Sequence, residues 1–248
     1  MTEVQSDDLD ALLDEQKAYY RARAPEYDDW WNRANGFDLG PVFAASWQRN
    51  TDQLIEALER FDPRGDVLEL AAGTGTFTEV ILRHADRVTV VDASPEVLAI
   101  NAARNGTGWD RVEQITTDLF AWEPPRRWSS IVFGFWISHV PEARWPLFWS
   151  VVERALAPGG RVWFCDNAED GHAALHGPPE AKEPIGDAAH PGLGELKPRV
   201  LSDGRAFTIV KRYWTPTGLE ADLASLGWDA RCATTDWAFL HGTATRRA

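Results

Sequence analysis

The sequence predicts an α/β protein with a mostly parallel sheet, and three observations support this fold class. From residue 66 onward, short apolar runs alternate with stretches of helical character, the order expected when each helix crosses over between two parallel strands. Residues 67–70 form a nearly continuous apolar run, which is typical of a strand covered on both faces. A turn containing Gly73 and Gly75 then leads into a helix that starts at Thr76, because glycine allows the sharp reversal.

Two helices are predicted upstream of the sheet. The first lies within residues 1–24, has Leu9 and Leu13 at helical spacing, and ends at Pro25, which lacks an N–H and restricts the residue before it. The second spans residues 42–61 and has its apolar side chains on one face. We therefore expect an N-terminal helical segment of residues 1–40 beside one main domain of residues 41–248.

Within the main domain, the element ends carry local signals. Ser94 followed by Pro95 is typical of an N-cap and a first helical position, and a helix over 143–156 is expected to end at a Pro-Gly-Gly turn before the next strand. Residues 167–198 lack periodicity and predict an excursion, and Asp203-Gly204 predicts the turn of a hairpin over 199–214. The predicted strands of the sheet are 67–70, 88–91, 112–117, 131–136, 161–165, 228–235 and 238–245.

Composition excludes several classes of function. The net charge is −13, and no large Lys/Arg cluster occurs, so binding to nucleic acid or to an anionic membrane is disfavoured. No run approaches the ~18 apolar residues of a membrane span, and the acidic N-terminus does not resemble a signal peptide. Two cysteines without metal-like spacing suit a reducing cytoplasm. We expect a cytoplasmic protein, a monomer or a homodimer, that acts on a small molecule.

The glycine turn and two acidic residues indicate a nucleotide-like ligand. Thr78 stands where a dinucleotide fingerprint requires its third small residue, which disfavours a nicotinamide-dependent oxidoreductase. Asp92 follows the second strand, where an acid accepts hydrogen bonds from both ribose hydroxyls. Asp118 follows the third strand and is positioned to accept a hydrogen bond from an adenine amino group, with the N–H of Leu119 serving a ring nitrogen. A single strand-end aspartate can equally be a helix cap, but two at these separations from the turn favour ligand binding.

These features together resemble the class I S-adenosylmethionine (SAM) methyltransferases. The shared segments are Glu69 with the G-x-G turn, Asp92, the Asp118-Leu119-Phe120 stretch and the LAPGGRVWF stretch of residues 156–164. Ala71 stands where that family usually has glycine. The resemblance implies a Rossmann-like fold with SAM as cofactor and S-adenosylhomocysteine (SAH) as product. It further implies a seven-stranded, mostly parallel sheet with helices on both faces, whose last strand inserts antiparallel, plus an N-terminal helical lid and a hairpin insertion at about 167–214.

The cofactor-binding residues expected from this resemblance come from the lid and from the strand ends. For the aromatic and basic cluster of residues 19–31, two interpretations stay open: a helix packed on the domain edge, or a lid whose tyrosine hydroxyls and arginine reach the cofactor carboxylate. The predicted cofactor-binding residues are Tyr20, Arg23, Tyr27, Glu69, Ala71, Gly73, Gly75, Asp92, Ala93, Asp118, Leu119, Phe120 and Phe135.

A narrower resemblance concerns the methyl acceptor. The YYRARAPEYD, DLFAWEP, HVP and SDGRAFTIVK stretches are similar to phosphonate O-methyltransferases of dehydrophos biosynthesis, which implies a catalytic site of His139, Arg199 and Lys211. Independently of that, Arg199 and Lys211 lie across the predicted hairpin and can reach one side of it, where Arg suits a forked contact with an anion and Lys a point charge. They can also be exposed hairpin charges, and His139 can be structural.

Other functions remain open at this level. His139 can be the base for an alcohol, phenol or carboxylate acceptor of an O- or N-methyltransferase, and the chain can also be a SAM-binding module without catalysis. His172 and His176 are four residues apart near Asp166, Glu169 and Asp170, but the glycine and polar residues around them favour a loop, so no metal site is predicted.

Overall fold

Apart from the helix Tyr27–Asn32 and the strand Ala189–His190, the strands and helices follow one another in the order that the sequence predicts. The computed structural model describes residues 6–169, 189–190 and 194–247. The helices are α1 (Ser6–Arg23), α2 (Tyr27–Asn32), α3 (Pro41–Phe61), α4 (Thr76–Ile81), α5 (Pro95–Arg104), α6 (Trp145–Ala155) and α7 (Pro216–Ser225). The strands are β1 (Gly65–Leu70), β2 (Ala85–Asp92), β3 (Val112–Thr116), β4 (Trp128–Gly134), β5 (Leu156–Asn167), β6 (Ala189–His190), β7 (Gly194–Val200), β8 (Ala206–Lys211), β9 (Trp228–Thr234) and β10 (Phe239–Arg246).

Seven strands form the main sheet in the order β3-β2-β1-β4-β5-β10-β9. Strands β1 to β5 run parallel, and β10 inserts antiparallel between β5 and β9, which confirms the predicted topology. The strand order reverses between β1 and β4, and an open α/β sheet forms a crevice at such a point, outside the carboxyl ends of its strands. The turn after β1, Asp92 on β2 and Asp118 after β3 therefore meet at one edge.

The hydrophobic core fills both faces of this sheet. Helices α3, α4 and α5 cover one face, and α6 and α7 cover the other. Trp128, Trp149, Trp163 and Trp228 are among the largest fully buried side chains, so several of the thirteen tryptophans belong to the core. The sheet edge that carries the strand ends is fixed by this packing.

The hairpin insertion forms a second, three-stranded sheet of β6, β7 and β8. Gly204, at the tip between β7 and β8, has a φ of 86°, which glycine adopts without steric cost. Arg199 pairs with Phe207 and Glu195 with Lys211, so Arg199 and Lys211 share one face of the hairpin. The main-chain N–H of Arg212 donates to the carbonyl of Ser138 at 2.8 Å, which attaches the hairpin to the segment that follows β4.

Several boundaries differ from the predictions. Strand β5 begins at Leu156, so the Pro-Gly-Gly segment lies inside the strand, where a register shift against β4 accommodates the extra residues. Pro25 ends α1, but the chain continues through a 3₁₀ turn, Ala24–Glu26, into α2, which the sequence did not predict. The sequence predicts a helix from Thr76 to His84, but α4 ends at Ile81. Strand β7 starts at Gly194, inside the predicted excursion.

Residues 170–188 and 191–193 of the excursion, which include His172 and His176, lie outside the described residues. Across the described part of the chain, no helix is long and apolar enough to cross a membrane.

Candidate active site

The turn after β1 leaves open space on its outer side. Ala71 and Gly73 have φ values of 50° and 55°, and a Cβ at Gly73 would meet no other part of the chain closer than the Ala71 carbonyl oxygen at 4.0 Å. Phe135, just after β4, also has a positive φ, of 54°. Left-handed conformations cost free energy for residues other than glycine and cluster at ligand sites. The ends of β1 and β4 thus form a cradle that a ligand can approach closely.

Glu69 and Gly75 support this turn from behind. The Glu69 Oε2 accepts a hydrogen bond from the Thr78 hydroxyl at 2.6 Å, and the Asn101 amide donates to the same hydroxyl at 2.8 Å. A Cβ on Gly75 would overlap Asn101 and lie 2.6 Å from Asn105 Nδ2. Burial raises the pKa of Glu69 to about 8, since the charged form is poorly solvated there. Both residues hold the glycine turn against α4 and α5.

Asp92 connects the glycine turn to the start of α5. Its Oδ2 accepts a hydrogen bond from the Gly73 N–H at 3.0 Å, and its Oδ1 accepts one from the Ser94 N–H at 2.9 Å. Burial raises the pKa of this carboxyl, and the main-chain hydrogen bonds oppose that rise. A carboxylate has about four lone-pair sites, so two acceptor positions remain for ligand hydroxyls.

Asp118 is paired with the N-terminal helix. Its Oδ1 accepts a hydrogen bond from the Phe120 N–H at 2.9 Å, and its Oδ2 lies 2.8 Å from Lys17 Nζ. Lys17 also lies 2.7 Å from the Asp14 carboxylate. Asp118, which is predicted to accept a hydrogen bond from an adenine amino group, therefore already forms an ion pair with Lys17 of α1.

These strand ends and α1 enclose one cleft, which we call the central cleft. Of the predicted cofactor-binding residues, Arg23, Glu69 and Gly75 do not line it, and direct contact of these three with a cofactor stays a prediction. The predicted residues that line the central cleft are Tyr20, Tyr27, Ala71, Gly73, Asp92, Ala93, Asp118, Leu119, Phe120 and Phe135, together with His139. Its further lining residues, which the sequence did not indicate, are Leu13, Gln16, Lys17, Ser94, Val97, Gly134 and Trp136.

Helix α1 is fixed over the central cleft by polar contacts. The Gln16 amide donates to the His139 carbonyl at 3.0 Å and accepts from the Val210 N–H at 2.9 Å. Gln16 is buried, so this side chain joins α1 to β8 and to the segment after β4. The position of Gln16 on the apolar face of α1 could have indicated this role, since a buried polar side chain needs hydrogen-bond partners.

His139 is buried with both ring nitrogens engaged. Its Nδ1 lies 2.8 Å from the Val210 carbonyl oxygen, and its Nε2 lies 2.6 Å from the Tyr20 hydroxyl. A carbonyl only accepts, so Nδ1 carries the proton and Nε2 accepts from Tyr20. Burial, and then the charge of Lys211, hold the pKa of His139 well below its usual range. The imidazole is therefore neutral at pH 7, with its basic nitrogen facing Tyr20.

A second cavity, the cationic chamber, adjoins the central cleft and has a volume of about 310 Å³. Tyr20, Tyr27, Phe135 and His139 line both spaces. The charged residues that line the chamber are Arg23, Glu26, Arg33, Arg199 and Lys211. Positive charge thus predominates in this chamber, although the protein as a whole is acidic.

The cations of the chamber differ in how far the protein already neutralises them. Lys211 Nζ contacts the Ser138 hydroxyl at 2.7 Å, the Asn167 side-chain Oδ1 at 3.0 Å and the buried Asp166 carboxylate at 3.2 Å, so its three N–H donors are used. Arg199 donates to the Pro198 carbonyl. The Arg23 guanidinium lies over the Tyr27 ring, 5.0 Å from its centroid.

No group of three or more metal-ligating side chains occurs among the residues that the structure describes. The arrangement instead offers a cradle for a nucleoside, an acidic pair for its polar groups and an adjoining cationic chamber. A mostly parallel sheet in this strand order, with a glycine turn after β1 and acids at the ends of the next two strands, defines a class I SAM-dependent methyltransferase.

Comparison with known proteins agrees with this class. A family model described as "Methyltransferase domain" matches residues 67–160. Two structures of DhpI, one with SAH and one with SAM and HEP, are 35% and 36% identical to this chain, with TM-scores of 0.71 and 0.72. They cover 95% and 94% of this chain and, in each case, 97% of the DhpI chain. The chain belongs to the class I SAM-dependent methyltransferases and is similar to DhpI, with SAM as cofactor and SAH as product.

More distant matches agree in fold. A demethylmenaquinone methyltransferase of Tropheryma whipplei is 33% identical over 104 residues, and the match spans 41% of each chain, about two fifths of that enzyme's length. The glycopeptide N-methyltransferase MtfA is 21% identical with a TM-score of 0.57, over 79% of this chain and 90% of that one. That likeness shows the shared fold alone.

Proposed function

We propose that this enzyme transfers the methyl group of SAM to an oxygen of a small, anionic, phosphonate-like acceptor. The observation that carries the proposal is the cationic chamber, which adjoins the central cleft through the shared wall of Tyr20, Tyr27, Phe135 and His139. In a protein with a net charge of −13, a local excess of positive charge favours an anionic ligand at that place. The sequence resemblance to phosphonate O-methyltransferases supports the same class of acceptor.

The central cleft fits SAM residue by residue. Asp92 would bind the ribose hydroxyls. Asp118 and the N–H of Leu119 would bind the adenine edge, and Gly73 would let the main chain approach the ligand. Tyr20 and Tyr27 would close the lid side. Bound SAM supplies a methyl group on a positively charged sulfur. The residues of this chain have to fix the position of donor and acceptor, and orientation of this kind contributes ~7–11 kcal/mol to catalysis.

In the cationic chamber, Arg199 and Arg23 would bind the acceptor oxygens that do not react. Both guanidinium groups lower the pKa of His139, so their charges lie near the junction with the central cleft. The Tyr20–His139 pair would orient the reacting oxygen, which is already anionic near neutral pH and needs no base. Lys211, whose donors are used by the protein, would act mainly by holding Ser138, the neighbour of His139, and Asn167.

One observation favours a second candidate. His139 is neutral, and its Nε2 accepts a hydrogen bond from Tyr20 at 2.6 Å, which is the state required of a general base. With a neutral alcohol or phenol in the chamber, His139 would receive the acceptor proton through Tyr20 or directly. This alternative shares the cofactor and the chamber but differs in acceptor chemistry.

The test is methyl transfer from labelled SAM to a panel of alkylphosphonates, carboxylates, alcohols and phenols. We expect label in a phosphonate methyl ester, identified by mass spectrometry. Transfer confined to alcohols or phenols would replace the proposal by the His139-base alternative. Tight SAM binding without methyl transfer to any member of the panel would contradict phosphonate methylation and would indicate a binding module. Methyl transfer to the carboxylates alone would also contradict phosphonate methylation.

Replacement of Arg199 by Gln should raise the KM for an alkylphosphonate about 10- to 150-fold and change kcat less. The variant loses charge-assisted hydrogen bonds that contribute about 1.5–3 kcal/mol. Steady-state kinetics at saturating SAM measure the effect.

Arg205→Gln is the matched control, because Arg205 lies on the same hairpin and pairs with the exposed Asp203 at its tip, 2.7 Å away. Equal KM values for the Arg199 variant and the unmodified enzyme would contradict a role of Arg199 in anion binding.

A further inference from the structure

Arg33 is a buried arginine at the wall of the cationic chamber. It caps the end of α2 with a φ of 51°, and only 8% of the residue is exposed. Its guanidinium carbon lies 3.4 Å from the centroid of the Trp47 ring and within 5.4 Å of those of Trp30 and Phe43. Three aromatic rings therefore hold this charge in one position.

Among the residues that the structure describes, the charge of Arg33 has aromatic neighbours but no counter-ion. Its Nε and Nη2 are buried without a hydrogen-bond partner, and no carboxylate of the described residues forms an ion pair with it. Ring faces attract the cation but do not replace acceptors for its in-plane N–H groups. Burial lowers the pKa of Arg33 to about 10, so the group stays charged at neutral pH. An unpaired buried charge is costly and indicates a missing anionic partner.

The chamber is where such a partner can bind. Arg33 lines it together with Trp30 and Phe37, on a wall formed by the segment around α2. Arg23 and Arg199 belong to α1 and β7, and their charges act on His139 and Lys211, near the junction with the central cleft. Arg33 instead lies at the end of α2, against Trp47 of α3. The chamber thus has cationic groups on two different walls.

We propose that Arg33 binds a second anionic group of the acceptor, a carboxylate or another phosphoryl group, and so selects doubly anionic acceptors over singly anionic ones. The proposal rests on the proposed function for the group that is methylated. The competing explanation is that Arg33 serves only to stack α2 on α3 through Trp47, and the experiment below separates the two.

The experiment is calorimetric titration, in the presence of SAH, of 3-phosphonopropionate and of propylphosphonate, which has a similar length but lacks the carboxylate. The unmodified enzyme should bind 3-phosphonopropionate at least about tenfold more tightly, since one additional charge-assisted contact corresponds to that factor or more. Arg33→Met keeps the aliphatic stem and should abolish this preference, with a far smaller change for propylphosphonate. Arg33→Lys should retain part of the preference.

Arg49→Met on α3, whose exposed side chain donates to the Ala45 carbonyl of its own helix, is the matched control and should keep the preference. Equal binding of the two ligands by the unmodified enzyme would overturn the proposal even if Arg33→Met fails to fold. So would equal weakening of both ligands in Arg33→Met, which would indicate a stacking role alone.

The test of Arg33 and the test of phosphonate methylation can fail independently of each other. Methyl transfer to both phosphonates without a binding preference would refute only the role of Arg33. A preference without methyl transfer to either ligand would refute phosphonate methylation and leave the second anion site in place.

Discussion

Replacement of Asp92 by Asn is expected to lower the affinity for SAM by about 100-fold. The carboxylate accepts hydrogen bonds from the N–H groups of Gly73 and Ser94 and, in the proposed complex, from both ribose hydroxyls. An asparagine side chain has one acceptor oxygen, so at least one main-chain N–H and one hydroxyl lose their partner. Two such losses at about 1.5 kcal/mol each correspond to this factor. Titration calorimetry with SAM and with SAH measures it.

Asp86→Asn is the matched control for this prediction. Asp86 lies on the same strand, β2, but at its opposite end, and is exposed. The control variant should bind SAM as the unmodified enzyme does. An Asp92 variant with unchanged SAM affinity, and with unchanged thermal stability as evidence of an intact fold, would show that the ribose is held elsewhere.

Glu69→Gln is expected to remove a large pH dependence of stability. The pKa of Glu69 is raised from 4.5 to about 8 in the folded protein, so the native state keeps a proton that the unfolded chain releases above pH 4.5. The stabilising contribution of the neutral side chain is therefore complete below about pH 4.5 and is lost as the pH rises toward 8. The slope is about 1.4 kcal/mol per pH unit, or roughly 5 kcal/mol over the whole range.

Glutamine keeps the shape of Glu69 and an oxygen that accepts from the Thr78 hydroxyl, but it does not titrate. The free energy of unfolding is measured by urea denaturation between pH 5 and pH 8. Relative to the unmodified enzyme, the Gln variant should become more stable with each increase in pH. Other titrating groups cancel in the difference between the two proteins. Glu79→Gln, on the exposed side of α4, is the control, and parallel pH curves for the Glu69 variant and the unmodified enzyme would contradict the prediction.

Much of the fold could be predicted because its signals are local. Apolar runs, the glycines of the first turn and the Ser94-Pro95 cap each act within a few residues, and all three recur in the structure. Asp92 and Asp118 could be singled out because parallel strands bring their carboxyl ends to one edge. The Pro-Gly-Gly segment was misplaced, since only pairing with β4 makes it part of β5.

The positions of single side chains around the central cleft and the cationic chamber could not be predicted in the same way. Arg23 lies within the aromatic and basic cluster of residues 19–31 and is predicted to contact the cofactor, yet it lines the cationic chamber. Lys211 shares a hairpin face with Arg199 as predicted, but the buried Asp166 and its neighbours take up its donors. Arg33 carried no sequence signal, because its burial depends on Trp47, which lies on another helix.

The sequence by itself determined the α/β class, the glycine turn with its two acids, and the resemblance to SAM methyltransferases. Each of these rests on short-range periodicity or on residues spaced along neighbouring strands. Only the tertiary structure decided which charges are neutralised and which remain available in the cationic chamber. The physical reason is that desolvation and ion pairing depend on contacts between segments far apart in the chain, as Lys211 with Asp166 and Arg33 without a carboxylate among the described residues illustrate.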